Sequence, residues 1–170
     1  FLLEYQPIVD LFTGDWIGAE ALLRWQRRNG ELIRPDIFIP IAEEAGLMSL
    51  ITQRVLELVA ADAEGIFRQF PRFHLAINLS ATDLHDEQIV EKLSRLKTQT
   101  CADSNNLCVE VTERLLANPE LARPILHKLR QLGIATAVDD FGTGYSSLSY
   151  LETFDFDVLK IDKVFVDTLD

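Results

Sequence analysis

With 170 residues, 48% of them apolar and 25% charged, the chain has the composition of a soluble globular domain with material for one sizeable core. Its formal net charge of −11 argues against broad binding to DNA or RNA, which needs a basic face, but not against a small phosphate ligand held by a metal and a few cations. No apolar run approaches the roughly 18–20 residues of a membrane span, and no signal-peptide pattern is present.

Phe1 stands almost directly on the first strand-like segment and no methionine opens the chain, so the sequence reads as a fragment of a longer protein. Residues 2–9 form that first strand, Thr13-Gly14-Asp15 a turn, and residues 16–25 a second strand. The second strand carries Glu20 and Arg24 in the apolar run Ile-Gly-Ala-Glu-Ala-Leu-Leu-Arg-Trp, and period two puts residues 20, 22 and 24 on one face. The acid and the base there form either a structural cross-strand pair or a metal ligand with a phosphate clamp. A polar loop around Arg27 to Gly30 follows. A short helix-containing segment spans 35–45 and ends at Gly46, and a longer helix spans 49–70 with Leu50, Ile51, Val55, Leu58, Val59 and Phe67 at core spacing.

Residues 73–79 read as a third strand ending in Asn78-Leu79-Ser80, and Asp86 reads as the cap of a helix running to about Lys97. A loop over 98–106 leads to a fourth strand, 107–111, which bears Glu110, with Glu113 just past its end. Asn118-Pro119 opens the next helix in cap-then-Pro order and Gly133 closes it. The fifth strand, 134–138, stops at two adjacent carboxylates, Asp139 and Asp140, before a turn punctuated by Gly142 and Gly144. Two acids at the mouth of a strand are costly unless a cation or proton lies between them, although one Asp alone also caps turns and helices. A sixth strand, 158–161, carries Lys160 and is followed at once by Asp162.

From the third strand on, strands and helices alternate, which predicts parallel strands with helices packed outside. In barrels of that kind catalytic groups gather at the C-terminal ends of the strands. Asn78, Glu110, Asp139, Asp140, Lys160 and Asp162 all fall there, and Glu20 and Arg24 can join them. Repetition of acids at one topological point predicts a site for one or two hard cations on oxygen ligands, Mg²⁺ or Mn²⁺. Cys101 and Cys108 make no CxxC, and His74, His85 and His127 have no zinc-like spacing, so a soft-metal site is not expected and a reducing, cytoplasmic setting is. Asp140-Phe141-Gly142 spells the kinase metal triplet without the other kinase segments, and Gly142-Thr-Gly144 is no dinucleotide fingerprint because Ser147 replaces its third glycine.

These residues also carry a family resemblance. Glu20-Ala21-Leu22 within Glu-Ala-Leu-Leu-Arg-Trp resembles the motif that names the EAL domain, a bacterial cyclic di-GMP phosphodiesterase module. The resemblance extends, in order, through Tyr5-Gln6-Pro7-Ile8, Phe38-Ile39-Pro40-Ile41-Ala42-Glu43, Asn78-Leu79-Ser80, Glu110-Val111-Thr112-Glu113, the segment 139–148, and Leu159-Lys160-Ile161-Asp162. It implies an α/β fold, a modified TIM (β/α)8-type barrel whose first strand is antiparallel. It implies Mg²⁺ or Mn²⁺, two per site, on Glu20, Asn78, Glu110, Asp139 and Asp140, with Asp139 bridging. Glu20, Asp140 and Lys160 are then catalytic, Lys160 orienting the attacking water, while Gln6, Arg24 and Asp162 bind substrate. Glu113 anchors the loop after Asp140, which in the family also contributes dimer contacts. The implied reaction opens cyclic di-GMP to linear pGpG, and the implied partners are that nucleotide and a second copy of the chain, with no DNA, no RNA and no membrane insertion by this segment.

Arg114 stands where the family usually has a small residue, and Phe156 replaces a common proline. With six strand-like segments, residues 1–170 correspond to an EAL domain without its C-terminal strands, which in the family supply a further glutamate. The expected parent is a larger multidomain protein, anchored in the inner membrane in some architectures of this family with this domain in the cytoplasm. The rival reading is a catalytically inactive EAL domain that acts as a cyclic di-GMP receptor or a protein-interaction module. Intact visible ligands favour the enzyme.

Overall fold

The computed structural model describes residues 1–113, 119–142 and 154–167. Strand β1 (Leu2–Val9) and strand β2 (Trp16–Gln26) form an antiparallel hairpin in which Gln6 faces Glu20 and Leu2 faces Arg24. The turn is held by Asp10, whose Oδ1 accepts from the amides of Phe12 and Thr13 at 2.8 and 2.9 Å. A two-residue strand, β3 (Leu32–Ile33), folds back on Trp25 and Gln26. So short a pairing leaves no periodic signal, which is why this stretch reads only as the far side of a polar loop.

Helix α1 (Pro35–Glu44) opens on proline, and α2 (Met48–Gln69) buries Val55, Val59, Ala63 and Phe67 along one stripe. Strand β4 (His74–Asn78) leads through a four-residue helix, α3 (Ala81–Leu84), into α4 (Gln88–Gln99). The N-cap position of α4 is Glu87, which makes no side-chain cap, and Asp86, one residue earlier, accepts through Oδ1 from the Gln88 amide at 2.9 Å. Then come β5 (Leu107–Thr112), α5 (Pro119–Gln131), β6 (Ala135–Phe141), β7 (Val158–Ile161) and the short α6 (Lys163–Val166). The cap expected at Asn118, the segment 143–150 with Gly144 and Ser147, and the departure at Arg114 lie outside the described residues. Among the described residues no helix is long and apolar enough to cross a membrane.

The strands form one mixed sheet in the order β1-β2-β4-β5-β6-β7, with β3 on the margin of β2. Among the described residues only β1 and β3 run antiparallel to their neighbour; β2, β4, β5, β6 and β7 are mutually parallel. This is the TIM-barrel-like α/β architecture with an inverted first strand. Alternation divides the sheet into two faces. Ala21, Leu75, Ile77, Val109, Val111 and Val138 turn toward α2, α4 and α5, where they meet Val59, Leu93 and Leu129. Each such fully buried branched side chain stabilises the fold by roughly 1.5–3 kcal/mol. The opposite face carries the small cluster Ala76, Cys108 and Ala137, and in register with it Glu20, Asn78, Glu110 and Asp139. Small side chains below and acids above are what one face of each strand contributes.

Strand β6 departs from expectation. The sequence predicts its end at Val138, yet its ladder continues through Asp139, paired with Thr112, to Phe141, paired with Ile161. The register with β7 shifts between Val138 and Phe141, and there Asp140 takes φ +53. An irregularity of this kind lets a strand keep both neighbours while it re-aims consecutive side chains. The two carboxylates therefore lie within the strand rather than beyond it.

Cys108 is buried beneath the acids, and burial pushes its thiol up to about 12, whereas Cys101 is exposed. Because the thiolate is the reactive species, one of the two thiols is expected to react with Ellman's reagent at pH 8 in the native protein, and both after denaturation. Rapid native reaction of both would contradict this packing.

Candidate metal centre

Glu20 from β2, Glu110 from β5 and Asp139 from β6 converge across three strands, each offering a carboxylate oxygen within 4.8 Å of the others. Lys160 enters from β7. Its Nζ lies 2.9 Å from Glu20 Oε2, 2.5 Å from Glu110 Oε2 and 3.1 Å from Asp139 Oδ1. Asn78, at the end of β4, donates from Nδ2 to Glu20 Oε1 at 2.7 Å. Five residues that the sequence marks as one cluster are thus brought together by five different strands, all at the C-terminal end of the parallel ladder.

Three carboxylates surround one ammonium, so negative charge is in surplus. The Glu110 side chain is only 2% exposed, and its carboxyl is pushed up to about 7 by burial, with the charges of Glu20 and Asp139 adding to that and Lys160 opposing it. Burial works to lower Lys160, but its bonds to Glu110 and Glu20 prevail and hold the ammonium well above its ordinary range. Loss of a proton from either group leaves more of the carboxylates' negative charge uncompensated, which adds to the effect of burial at Glu110 and overcomes it at Lys160. The donor set, three carboxylate oxygens with the Asn78 side chain bonded beside them, suits a hard divalent cation, and the ammonium marks where positive charge is favoured. This buried acidic trio is capable of coordinating a divalent metal.

The remaining site residues take other positions. Asp140 hydrogen-bonds with Asp162, and its carboxyl is raised by burial and by the charges of Asp139 and Asp162. Asp162 also caps α6, accepting from the Val164 amide at 2.7 Å. Gln6 is exposed and lies across the ladder from Glu20. Arg24 does not pair with Glu20; its Nε donates to Glu4 Oε2 at 2.6 Å. Four residues beyond Glu20, about 13 Å along the strand, Arg24 lines a cleft of ≈ 310 Å³ with Pro35, Asn78, Ser80 and Thr112. The acid and the base of β2 thus take separate partners, Glu20 with Asn78 and Lys160, and Arg24 with Glu4 across the hairpin.

Glu113 Oε2 accepts from the Gly142 amide at 3.2 Å, while its buried Oε1 has no partner among the described residues. Gly142 sits at φ +102 under Phe165, whose ring would lie 2.4 Å from an added Cβ, so only glycine fits. Two ties are not foreseen from the sequence. Asp157 Oδ2 accepts from the Thr136 amide at 2.9 Å and secures the entry to β7. Ser80 and Asp83 form a capping box at the start of α3, for which Ser-x-x-Asp after Asn78-Leu79 is the available signal.

Comparison with known proteins adds to this geometry. The profile of the EAL domain matches residues 1–170. The chain is 42% identical over 168 residues to "Probable cyclic di-GMP phosphodiesterase PdeB" of Escherichia coli K12, a match covering 99% of this chain and 33% of that protein. The chain thus spans about a third of the length of that curated relative. Among solved structures it resembles the PaMucR phosphodiesterase in complex with c-di-GMP, with a TM-score of 0.91, 35% identity, and coverage of 99% of this chain and 69% of that one. It also resembles the EAL enzyme Bd1971 in its cAMP and cyclic-di-GMP bound form, at TM-score 0.91 and 33% identity, over 98% of this chain and 47% of that one.

Proposed function

The chain belongs to the EAL domain family, and from that membership we propose that it hydrolyses one phosphodiester bond of cyclic di-GMP to give linear pGpG. The observation that carries the reading is the convergence of Glu20, Glu110 and Asp139 on one cationic point at the end of a parallel sheet. In this reading Glu20, Asn78, Glu110, Asp139 and Asp140 would hold two divalent cations, Mg²⁺ or Mn²⁺. Such ions acidify water at neutral pH and offset charge on phosphoryl oxygens.

The chain's own residues do the rest. Asn78, whose amide nitrogen donates to Glu20 Oε1, would present its carbonyl oxygen to an ion once the amide turns over. Lys160, which contacts Glu20, Glu110 and Asp139, would give its ammonium to the attacking water where divalent ions take over those acids. Arg24, in the cleft beside Asn78, draws the substrate phosphate toward the acids, which is how so acidic a chain accepts an anion. Gln6 and Asp162 contact the nucleotide, and Glu113 anchors the turn after Asp140 through Gly142. We read residues 1–170 as EAL domain sequence within a larger cytoplasmic or membrane-anchored parent that works as a dimer.

Incubating the protein with cyclic di-GMP and Mn²⁺ or Mg²⁺ and separating the nucleotides by chromatography is expected to yield pGpG, and none when EDTA is present. Tight binding of intact cyclic di-GMP without product would favour a receptor. Neither binding nor turnover would remove both readings.

A further inference from the structure

Ser80, the last residue of Asn78-Leu79-Ser80, has no part in the chemistry above, and its surroundings give it one. Asp83 is only 2% exposed. Its Oδ2 accepts three hydrogen bonds: from Thr52 Oγ1 at 2.9 Å, from the Ser80 amide at 2.8 Å and from Ser80 Oγ at 2.6 Å. Every one of these donors is neutral. A carboxylate taken out of water is costly unless its hydrogen bonds are made; the bond from the Ser80 amide belongs to the capping box of α3, while the bond from Thr52 reaches beyond that helix to α2.

What the bonds connect is informative. Thr52 lies on α2, whose Val55, Val59 and Ala63 are set in the main core. Ser80 begins the turn out of β4, two residues beyond Asn78. Between them the Leu79 amide donates to the Glu110 carbonyl oxygen at 2.9 Å. The chain just after Asn78 is therefore tied on one side to the strand that bears Glu110, and on the other, through Asp83, to the rigid α2. Thr52 and Ser80 also stand in the wall of the cleft that Arg24 lines.

We propose that Asp83 is a positioning residue for the metal centre: it fixes Ser80 against Thr52 and thereby sets where Asn78 presents its side chain to Glu20. The inference rests on the reading of Asn78 as a metal ligand. Groups that orient a ligand from behind cost about 10- to 100-fold in metal affinity when removed. A helix cap that served stability alone would leave affinity for the ion unchanged.

The test is calorimetric titration of the protein with Mn²⁺ alone, alongside thermal melts. Asp83→Ala is expected to weaken Mn²⁺ binding about tenfold. Asp83→Asn should retain most of the affinity, because its carbonyl oxygen can take the place of Oδ2 and accept from Thr52, the Ser80 amide and Ser80 Oγ. Leu93→Ala, which opens the core at the remote α4, lowers stability and should leave affinity at the parental value. If Asp83→Ala does not fold, Thr52→Val replaces it and is expected to give a smaller loss in the same direction. Parental affinity in the folded Asp83→Ala or Thr52→Val protein would overturn the proposal, as would an equal loss in Leu93→Ala. Asn78→Ala separates the two readings: if it binds Mn²⁺ as the parent does, Asn78 is no ligand and this inference falls while the acidic trio stands, and if the parent does not bind, the metal-centre reading fails and this inference falls with it.

Discussion

Glu20→Ala is expected to lower cyclic di-GMP turnover by at least about a thousandfold while leaving the protein folded. A thousandfold corresponds to about 4 kcal/mol of transition-state stabilisation, which is what the loss of a ligand at a hard-metal centre removes. Glu20 is suited to so large an effect because it serves two neighbours: Oε1 accepts from Asn78 and Oε2 from Lys160. Alanine would deprive the centre of one oxygen ligand, release the Asn78 amide and leave the Lys160 ammonium to two acids. The hairpin should survive, because β2 is held by backbone ladders to β1 and β4 and by Ala19 and Ala21 on the helix-facing side. Steady-state turnover with Mn²⁺, beside a circular dichroism melt, checks both halves of the expectation. Turnover within tenfold of the parent in a folded variant would remove Glu20 from the centre.

The amino-acid sequence by itself marks Glu20, and the reason is physical. A lone acid within an apolar strand has no ordinary place to go, and the same holds for Glu110 in Leu-Cys-Val-Glu-Val. The alternation of strands and helices carries the topology, and with it the common end at which these acids must meet. Contacts set by register and by distance along the chain are not legible in this way. Lys160 reaches Glu20 across 140 residues, and nothing local distinguishes a lysine in Val-Leu-Lys-Ile that bonds three acids from one in solvent. Arg24 finds Glu4 rather than Glu20 because of hairpin register and side-chain reach. Strand β6 runs past Val138 because β5 and β7 pair with its far end, a tertiary reward that outweighs the local preference of two adjacent aspartates for a turn. Short α3 shows its cap in the sequence but not the partner of that cap, since Thr52 lies 31 residues back on another helix.

Lys160→Met is expected to cost about 2 kcal/mol of folding stability at pH 8 in the presence of EDTA, and to lose less at pH 6. Methionine keeps most of the buried stem, so the change isolates the ammonium. Removing one partner from a buried ion pair costs about 3–5 kcal/mol, and the Lys160 side chain, 29% exposed, calls for a smaller figure. The pH dependence follows from Glu110. Its carboxyl is already raised to about 7 in the fold, with Lys160 among the causes that lower it, so loss of the ammonium moves it higher still. A carboxyl raised on folding adds stability below its unfolded value near 4.3, and that contribution is lost as pH rises through the folded value. At pH 6 the variant therefore neutralises its surplus charge by taking up a proton; at pH 8 it cannot, and three carboxylates repel one another. Divalent ions supply the other route to neutrality. Mn²⁺ at about 100 times its dissociation constant returns roughly 2.7 kcal/mol to any protein that binds it only when folded. Because the variant presents the same acids without a competing cation, Mn²⁺ should raise its stability more than it raises the parent's, even though turnover is lost. Urea denaturation of both proteins at the two pH values, with EDTA and with Mn²⁺, gives the four differences needed. Equal stability of variant and parent in EDTA at pH 8 would mean that the ion pairs of Lys160 contribute nothing net. A gain from Mn²⁺ no larger than the parent's would mean that ammonium and metal do not share these carboxylates.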